Sequence, residues 1–222
     1  MARFSFEEAD KYGGKSSSGT NFFRLVDDKD TARVRFLYKG IEDVQGMSVH
    51  QVELSNGKKR YVNCLKEYGD SVDVCPLCAK GLYAYPKYFI PLYNLDDEVV
   101  QIWERSKSFG SKLSSLCSRY SNLVSHTFEI ERCGKKGDKQ TTYEIYETGV
   151  DEDVTLDDFD IPQILGTTVM DKTAEDMEYY NKKGDFPGYD DSDKGSDEDE
   201  VPVRRRSSER RTPSNRERGE AF

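Results

Sequence analysis

Three of the five cysteines in this chain fall within one fifteen-residue stretch, and a histidine precedes them. Their spacing is His50-x13-Cys64-x10-Cys75-x2-Cys78. Zinc takes four nitrogen or sulfur ligands at tetrahedral corners in structural sites, and two cysteines separated by two residues reach one ion from a tight turn. Pro76 stiffens that turn, and Gly81 lets the chain leave it at unusual dihedrals. This spacing predicts one structural Zn²⁺ site.

Other interpretations of these thiols stay open at the level of sequence. His126 is the second of the two histidines, and either it or Cys133 is an alternative fourth ligand to His50. A Cys-Pro-x-Cys pair also occurs in thiol oxidoreductases, but there it lies in a βαβ setting that this sequence lacks. Free thiols with neither a metal-binding nor a redox role are the third alternative. Cys117 is best explained as a core residue on the apolar face of a helix.

Alternation of apolar and polar residues predicts strands across most of the first 150 positions. It occurs in TARVRFLYKG, in MSVHQVEL and KRYVNCL around an NGKK turn, in the hairpin KYFIPLYNLDDEVVQIWERS, and in HTFEIERCG and TTYEIYETG. The spacing of Leu113, Leu116, Cys117, Tyr120 and Val124 predicts one helical face. Five or six strands with one main helix indicate a mainly β (α+β) chain. We expect a small OB-fold barrel with an inserted zinc-binding subdomain over about 48–82.

The charge is unevenly distributed, and this divides the chain into segments. Residues 1–148 carry 21 acids and 22 bases, residues 149–200 carry 18 acids and 4 bases, and residues 201–222 carry 3 acids and 7 arginines. We therefore predict a flexible N-terminal arm (1–20), a core (21–150) and an acidic, partly helical segment (151–184). A disordered tail (185–222), acidic and then Arg-rich, follows, because it has too few apolar residues to offset its ordering entropy.

Membrane insertion, export and catalysis are not expected. No apolar run approaches the roughly 18–20 residues of a membrane helix, and MARFSFEEADKYGG has no hydrophobic leader region. A cytoplasmic location is therefore expected. A zinc deaminase needs a His-x-Glu element, whereas Glu53 follows His50 by three residues. A catalytic zinc also keeps an open coordination position, whereas four protein ligands are available here.

Cations and aromatic rings interleave through the predicted core. Binding of a single strand without sequence preference requires cations along a groove and flat side chains on which bases stack. The candidate phosphate contacts are Arg33, Arg35, Lys58, Lys59, Arg60, Lys87, Arg105, Lys107 and Lys112. The candidate stacking rings are Tyr85, Tyr88, Tyr93 and Trp103. Taken one at a time, each ring is equally well explained as core, and each cation as part of a solvated face.

The ordered string from His50 to Cys78, the aromatic hairpin, the FGSKL helix start and the acidic tail together resemble the zinc-containing single-stranded DNA-binding proteins of tailed bacteriophages, of the T-even type. The resemblance covers roughly residues 20–150 in detail and the tail in character. It implies an OB barrel with a zinc subdomain that coats and protects single strands in phage DNA replication, recombination and repair. It also implies cooperative self-association on DNA and recruitment of replication and recombination proteins through the acidic tail.

Two departures from that family stand out. GGKSSS, with Lys15 as its one base, barely echoes the basic N-terminal motif that mediates cooperativity, and RRRSSERR follows the acidic segment. Two alternative functions are kept: a zinc-stabilised protein-interaction module acting through the acidic tail, and an RNA-binding module, since OB grooves take either nucleic acid.

Overall fold

The structure is a computed structural model, and it describes residues 22–138 and 140–188. The expected N-terminal arm (1–20) lies outside the described residues, and so does the tail from residue 189 onward. The predictions made for those segments, including cooperative self-association and partner recruitment, therefore remain predictions.

The described residues form a mainly β molecule whose eight strands make one open mixed sheet. The strands are β1 (Thr31–Phe36), β2 (Gly46–Glu53), β3 (Lys59–Asn63), β4 (Ala84–Asn94), β5 (Val99–Ser106), β6 (His126–Cys133), β7 (Thr142–Val150) and β8 (Val169–Met170). Their hydrogen-bonded order is β7-β6-β1-β4-β2-β3-β8, with β5 on β4 outside that order. The β3–β8 pair is parallel and the other strand pairs are antiparallel.

The long strand β4 joins two parts of the sheet. Its first five residues pair with β2, and its last three pair with β1. Strand β5 runs along residues 87–94 on the opposite edge. The segment between β1 and β4 holds β2, β3 and the cysteine-rich turn. Strand β4 therefore connects this segment to the β4–β5 hairpin, because it pairs with both β2 and β5.

Three apolar clusters hold these elements together. Trp103 and Phe128 belong to the largest cluster, formed by β1, β4, β5 and β6 with the helix that follows β5. Leu77 and Met177 belong to a second cluster around the cysteine-rich turn. Tyr61 belongs to a third cluster, on the other face of β4 and β5. The molecule thus has a separate small core under the cysteines.

Three α-helices occur in the described residues: α1 (Pro76–Ala79), α2 (Gly110–Arg119) and α3 (Ala174–Lys183). Helix α2 follows the predicted apolar spacing as far as Cys117 and buries Leu113 and Leu116, but it ends at Arg119, so Tyr120 and Val124 lie beyond it. Helix α3 begins at a Thr173 cap whose hydroxyl accepts from the Asp176 amide, and it ends at Gly184 with a positive φ of 82°.

The structured part of the chain continues past residue 150. The strands and hairpins expected between residues 31 and 150 are present, and the partly helical segment expected over 151–184 holds the ten-residue α3 and also β8, which was not expected. The segment DEDVTLDDFDIPQIL, expected to hold a short helix, forms only the 3₁₀ turn Leu156–Asp158. Phe186 is buried at 2% exposure and stacks on Tyr180, so packed side chains extend to residue 186.

No helix within the described ranges is both long and apolar enough to cross a bilayer.

Candidate functional site

The four predicted metal ligands converge from three elements. His50 lies in β2, and Cys64 lies just past β3, which pairs with β2. The Cys64 amide donates to the Ser48 carbonyl at 2.9 Å, which keeps the end of β3 beside β2. Cys75 caps α1 and Cys78 lies within it. Residues separated by up to 28 positions therefore meet because the β2–β3 hairpin and the short helix face each other.

The distances between the ligand atoms match a tetrahedral zinc site. His50 Nε2 lies 3.4 Å from Cys75 Sγ and 3.6 Å from Cys78 Sγ, and the sulfurs of Cys64 and Cys78 are 3.6 Å apart. All four ligand atoms lie within 4.8 Å of one another. Zinc–ligand bonds of about 2.3 Å to sulfur and 2.0–2.1 Å to nitrogen place tetrahedral corners about 3.6–3.8 Å apart. The cluster is compatible with a structural zinc ion.

The local sequence explains how the turn forms. Pro76 occupies the first helical position, where its missing N–H costs nothing. The amide of Ala79 donates to the Cys75 carbonyl at 2.9 Å, and the amide of Gly81 donates to the Cys78 carbonyl at 2.8 Å. Gly81 has φ of +88°, the left-handed region that glycine adopts readily. Both cysteines are thereby held on one side of a single helical turn.

The thiols need a cation to ionise together. Desolvation and the neighbouring thiols raise the pKa of Cys78 to about 12, and desolvation also raises the pKa of Cys64. Desolvation opposes ionisation of Cys75 as well, but backbone hydrogen bonds from Cys78, Leu65 and Leu77 lower its pKa overall. Burial lowers the pKa of His50, which favours the neutral imidazole that binds metal. A divalent cation would supply the missing positive charge.

Zinc binding at neutral pH is therefore expected to release about two to three protons, because raised thiol pKa values keep these groups protonated until metal arrives. Calorimetric titration of metal-free protein in two buffers of different ionisation enthalpy measures this number. Protons compete with metal, so affinity should fall as the pH falls. Proton release near zero would show that the thiols do not bind the ion.

The alternative ligands lie elsewhere in the structure. His126 Nδ1 is 2.6 Å from Glu147 Oε1, across the β6–β7 pair. Cys117 packs against the largest apolar cluster, as expected, and Cys133 ends β6. Among the described residues that could hold a metal, only His50 and the three cysteines form a group. The structure therefore favours His50 over His126 and Cys133.

Helix α3 covers the cysteine cluster, which the sequence did not predict. Met177 is fully buried, and its Sδ lies 3.8 Å from Cys75 Sγ. Asn181 Nδ2 donates to the Pro76 carbonyl at 3.0 Å, and the Tyr180 hydroxyl donates to the Glu53 carbonyl at 2.9 Å. The C-terminal helix is thus attached both to α1 and to the end of β2.

A second feature is a cleft of about 430 Å³. It lies between residues 22–26, which precede β1, the β4–β5 hairpin and the β6–β7 hairpin. We call it the cationic cleft. Its lining residues are Phe22, Phe23, Arg24, Leu25, Val26, Lys87, Glu104, Arg105, Ser106, Arg132, Lys136 and Tyr143. Five of these side chains are cationic and one is acidic. Such an excess of positive charge favours an anionic ligand.

Only two of the predicted phosphate contacts, Lys87 and Arg105, line the cationic cleft. Lys87 forms an ion pair with Glu104 and donates to the Tyr61 hydroxyl. Its charge is therefore already neutralised within the protein. Arg105 has no carboxylate within ion-pair distance among the described residues, so its charge is the more available of the two to an anion in the cleft.

Arg35, predicted to contact phosphate, is instead a structural residue. It is 8% exposed, and its Nη1 donates to the carbonyls of Val124 and Ser125 at 3.1 and 2.9 Å. Its Nη2 lies 3.6 Å from Asp151. Alternation places Arg35 on the side of β1 opposite Val34 and Phe36. Asp151, which follows β7, and the carbonyls of Val124 and Ser125 surround its guanidinium on that side.

The remaining predicted cations lie outside the cleft. Arg33 pairs with Asp96 at 2.8 Å, and Lys59 lies 3.7 Å from Glu53. Lys112 donates to the Tyr143 carbonyl. The others are Lys58 and Arg60, at the β2–β3 turn, and Lys107, which is exposed before α2. Their contact with nucleic acid stays a prediction.

Trp103 is a core residue and does not offer a face for stacking, which corrects that prediction. It is fully buried, with ring centroids of Phe109 and Tyr143 at 5.0 and 5.2 Å. Tyr88 is half-buried against α2, where its hydroxyl would lie 2.7 Å from a Cβ at Gly110. Glycine at that position leaves room for the ring.

The other two candidate rings differ in accessibility. Tyr93 packs on Phe159 with centroids 4.9 Å apart, so the chain after β7 covers part of it. Tyr85 is half-buried and meets the exposed Tyr83 edge to face, at 4.7 Å. The Tyr83–Tyr85 pair is therefore the more accessible aromatic surface.

Sequence reasoning missed Arg24, Arg132, Lys136 and Tyr143 as cleft residues. Arg24 precedes β1, and the other three belong to the β6–β7 hairpin. All four are distant in sequence from the β4–β5 residues that they accompany in the cleft. The one local indication was the GKKGDK loop, which holds Lys136.

No protein-family model matches the chain, and no curated protein matches it significantly. Function is therefore inferred from the geometry of the molecule.

Proposed function

We propose that the protein binds single-stranded DNA without sequence preference, as the phage family that it resembles does, and that the cationic cleft holds part of the strand. The observation that carries this proposal is the five-to-one excess of cations over acids among the described lining residues. Phosphate neutralisation supplies most of the affinity of such proteins.

The topology supports an OB-type core. Strand β1 pairs with both β4 and β6, the β4–β5 hairpin precedes helix α2, and the β6–β7 hairpin follows it. An OB fold binds oligonucleotides at its second and third strands and beside the loop between its fourth and fifth. The corresponding parts here are β4–β5 and the loop that holds Lys136, and both line the cationic cleft.

The zinc site has a structural role in this proposal. All its ligands lie between β1 and β4 in sequence, as an inserted zinc-binding subdomain would require. Four protein ligands would occupy all four coordination positions of a tetrahedral zinc ion, which leaves no open position for catalysis. When bound, zinc would hold the β2–β3 hairpin to α1, and β2 in turn pairs with the start of β4. We therefore propose a non-enzymatic binding protein.

Binding of fluorescein-labelled oligo(dT), measured by anisotropy at several salt concentrations, tests the function. We expect tighter binding to the single strand than to duplex, with a logarithmic salt slope of about −3, because about four phosphates would be neutralised at −0.7 each. An RNA oligomer of the same length separates the RNA alternative. Equal affinity for duplex, or no binding in dilute buffer, would contradict the proposal.

A further inference from the structure

Arg105 occupies an unusual position for a cation. Its Cζ lies 4.3 Å from the Trp103 ring centroid and 4.0 Å from that of Tyr143. Both contacts are within the range of cation–π attraction. They use the guanidinium's π surface and fix its place at the wall of the cationic cleft, because Arg105 is one of the lining residues.

The charge of Arg105 is not neutralised by a carboxylate. Glu104, the single acid among the described lining residues, forms its ion pair with Lys87. Desolvation lowers the pKa of Arg105, Tyr143 and Glu104 partly oppose this shift, and the charge of Arg132 adds a smaller lowering. A desolvated guanidinium beside a second guanidinium is costly unless an anion pairs with it. The cleft therefore lacks a negative charge that a ligand would supply.

Arg105 also has an unused donor. Its Nε is buried and makes no hydrogen bond within the described structure. Buried donors are normally satisfied, and each exception calls for a partner. A guanidinium presents its donors as a fork that matches two oxygens of a phosphate. Because Arg105 lines the cleft, an oxyanion that entered it would match the donors of this guanidinium.

Arg132 acts as a positioning residue for this site. Its guanidinium donates to the Leu25 carbonyl at 3.2 Å and to the Tyr143 hydroxyl at 3.1 Å. It also donates to the carbonyls of Gly134 and Lys135. These bonds tie the chain start and the β6–β7 loop together, and that loop carries the exposed Lys136 at the cleft.

We propose that Arg105, oriented by Trp103 and Tyr143 and assisted by Lys136, forms a dedicated site for one phosphate group in the cationic cleft. The ligand is a phosphodiester of a nucleic-acid strand. The proposal rests on the proposed function and adds the group that recognises phosphate.

The test compares wild type with Arg105→Gln, Arg105→Lys and Lys136→Glu, using Arg119→Gln as the control for an exposed cation outside the cleft. Each is titrated with (dT)8, with its uncharged methylphosphonate analogue, and with inorganic pyrophosphate followed by thermal shift. Arg105→Gln should bind (dT)8 about tenfold more weakly and lose about 0.7 of a unit of the salt slope, the share of one phosphate on a single strand. Arg105→Lys should restore the slope but only part of the affinity, because it lacks the fork.

Several results separate this site from a purely structural role. Lys136 is exposed, so Lys136→Glu should keep the wild-type melting temperature and still weaken (dT)8 and pyrophosphate binding. The methylphosphonate analogue should bind wild type and Arg105→Gln equally. Wild-type (dT)8 affinity and salt slope in both Arg105→Gln and Lys136→Glu would overturn the phosphate site while leaving strand binding intact. Pyrophosphate binding without (dT)8 binding would refute the proposed function and leave an anion site that is not for strands.

Discussion

Cys75→Ser is expected to abolish zinc binding and to unfold the part of the molecule around the β2–β3 hairpin end, α1 and α3. Cys75 is fully buried and lies 3.4 Å from His50 Nε2. Serine is a poor zinc ligand, and zinc binding contributes directly to folding in sites of this kind. The free energy holding this part together should fall by about 4 kcal/mol or more, because loss of a metal is among the changes that cause the largest destabilisations.

The loss should be local, because the cysteine cluster has its own small core. Leu77, Met177 and Phe186 pack there, separately from the cluster that contains Trp103. Helix α3 should become sensitive to protease, since Met177 and Asn181 anchor it to the Cys75–Cys78 turn. Trp103 fluorescence should stay close to that of the wild type.

Metal analysis, limited proteolysis and thermal melting together measure these effects. Cys133→Ser is the matched control, because Cys133 lies at the end of β6 and outside the metal-binding group. It should retain one zinc ion per chain and the wild-type proteolysis pattern. A Cys75→Ser protein with full zinc content and an intact α3 would refute the structural role of the metal.

The strands and the Cys75–Cys78 pair were predictable because local patterns determine them, whereas the choice of His50 over His126 required the structure. The alternation around Val34 and Phe36 requires one face inside, and both residues are buried. The two-residue gap between Cys75 and Cys78 fits one helical turn whatever the rest of the chain does. The alternation of a strand and the spacing of two ligands can both be read from a few neighbouring residues, without information about distant segments.

The accessibility of the cations was harder to predict, because alternation gives the side of a strand but not what covers it. Arg35 lies on the outer face of β1, yet Asp151 and the carbonyls of Val124 and Ser125 surround its guanidinium. Lys87 looked free but pairs with Glu104 across the β4–β5 hairpin. The chain segments responsible lie far away in sequence or on a neighbouring strand.

Trp103→Ala is expected to destabilise the whole sheet by about 3–5 kcal/mol, the usual cost of deleting a large buried aromatic side chain. The Trp103 ring lies edge to face with Phe23, Phe109 and Tyr143, at centroid distances of 5.7, 5.0 and 5.2 Å. Phe23 lies in the segment before β1, Phe109 immediately precedes α2, and Tyr143 lies in β7. A cavity at this point removes contacts from three separate elements at once.

The effect on stability separates a core role from base stacking. If Trp103 contacted bases, Trp103→Ala would remain as stable as the wild type in urea and would lose affinity for oligo(dT). As a core residue it should instead lower the urea midpoint sharply, while Trp103→Phe, which refills most of the space, should cost less and keep strand affinity. Because Trp103 also supports Arg105 at 4.3 Å, the alanine variant should weaken strand binding only together with stability. Undiminished stability in Trp103→Ala would place the ring at the interface after all.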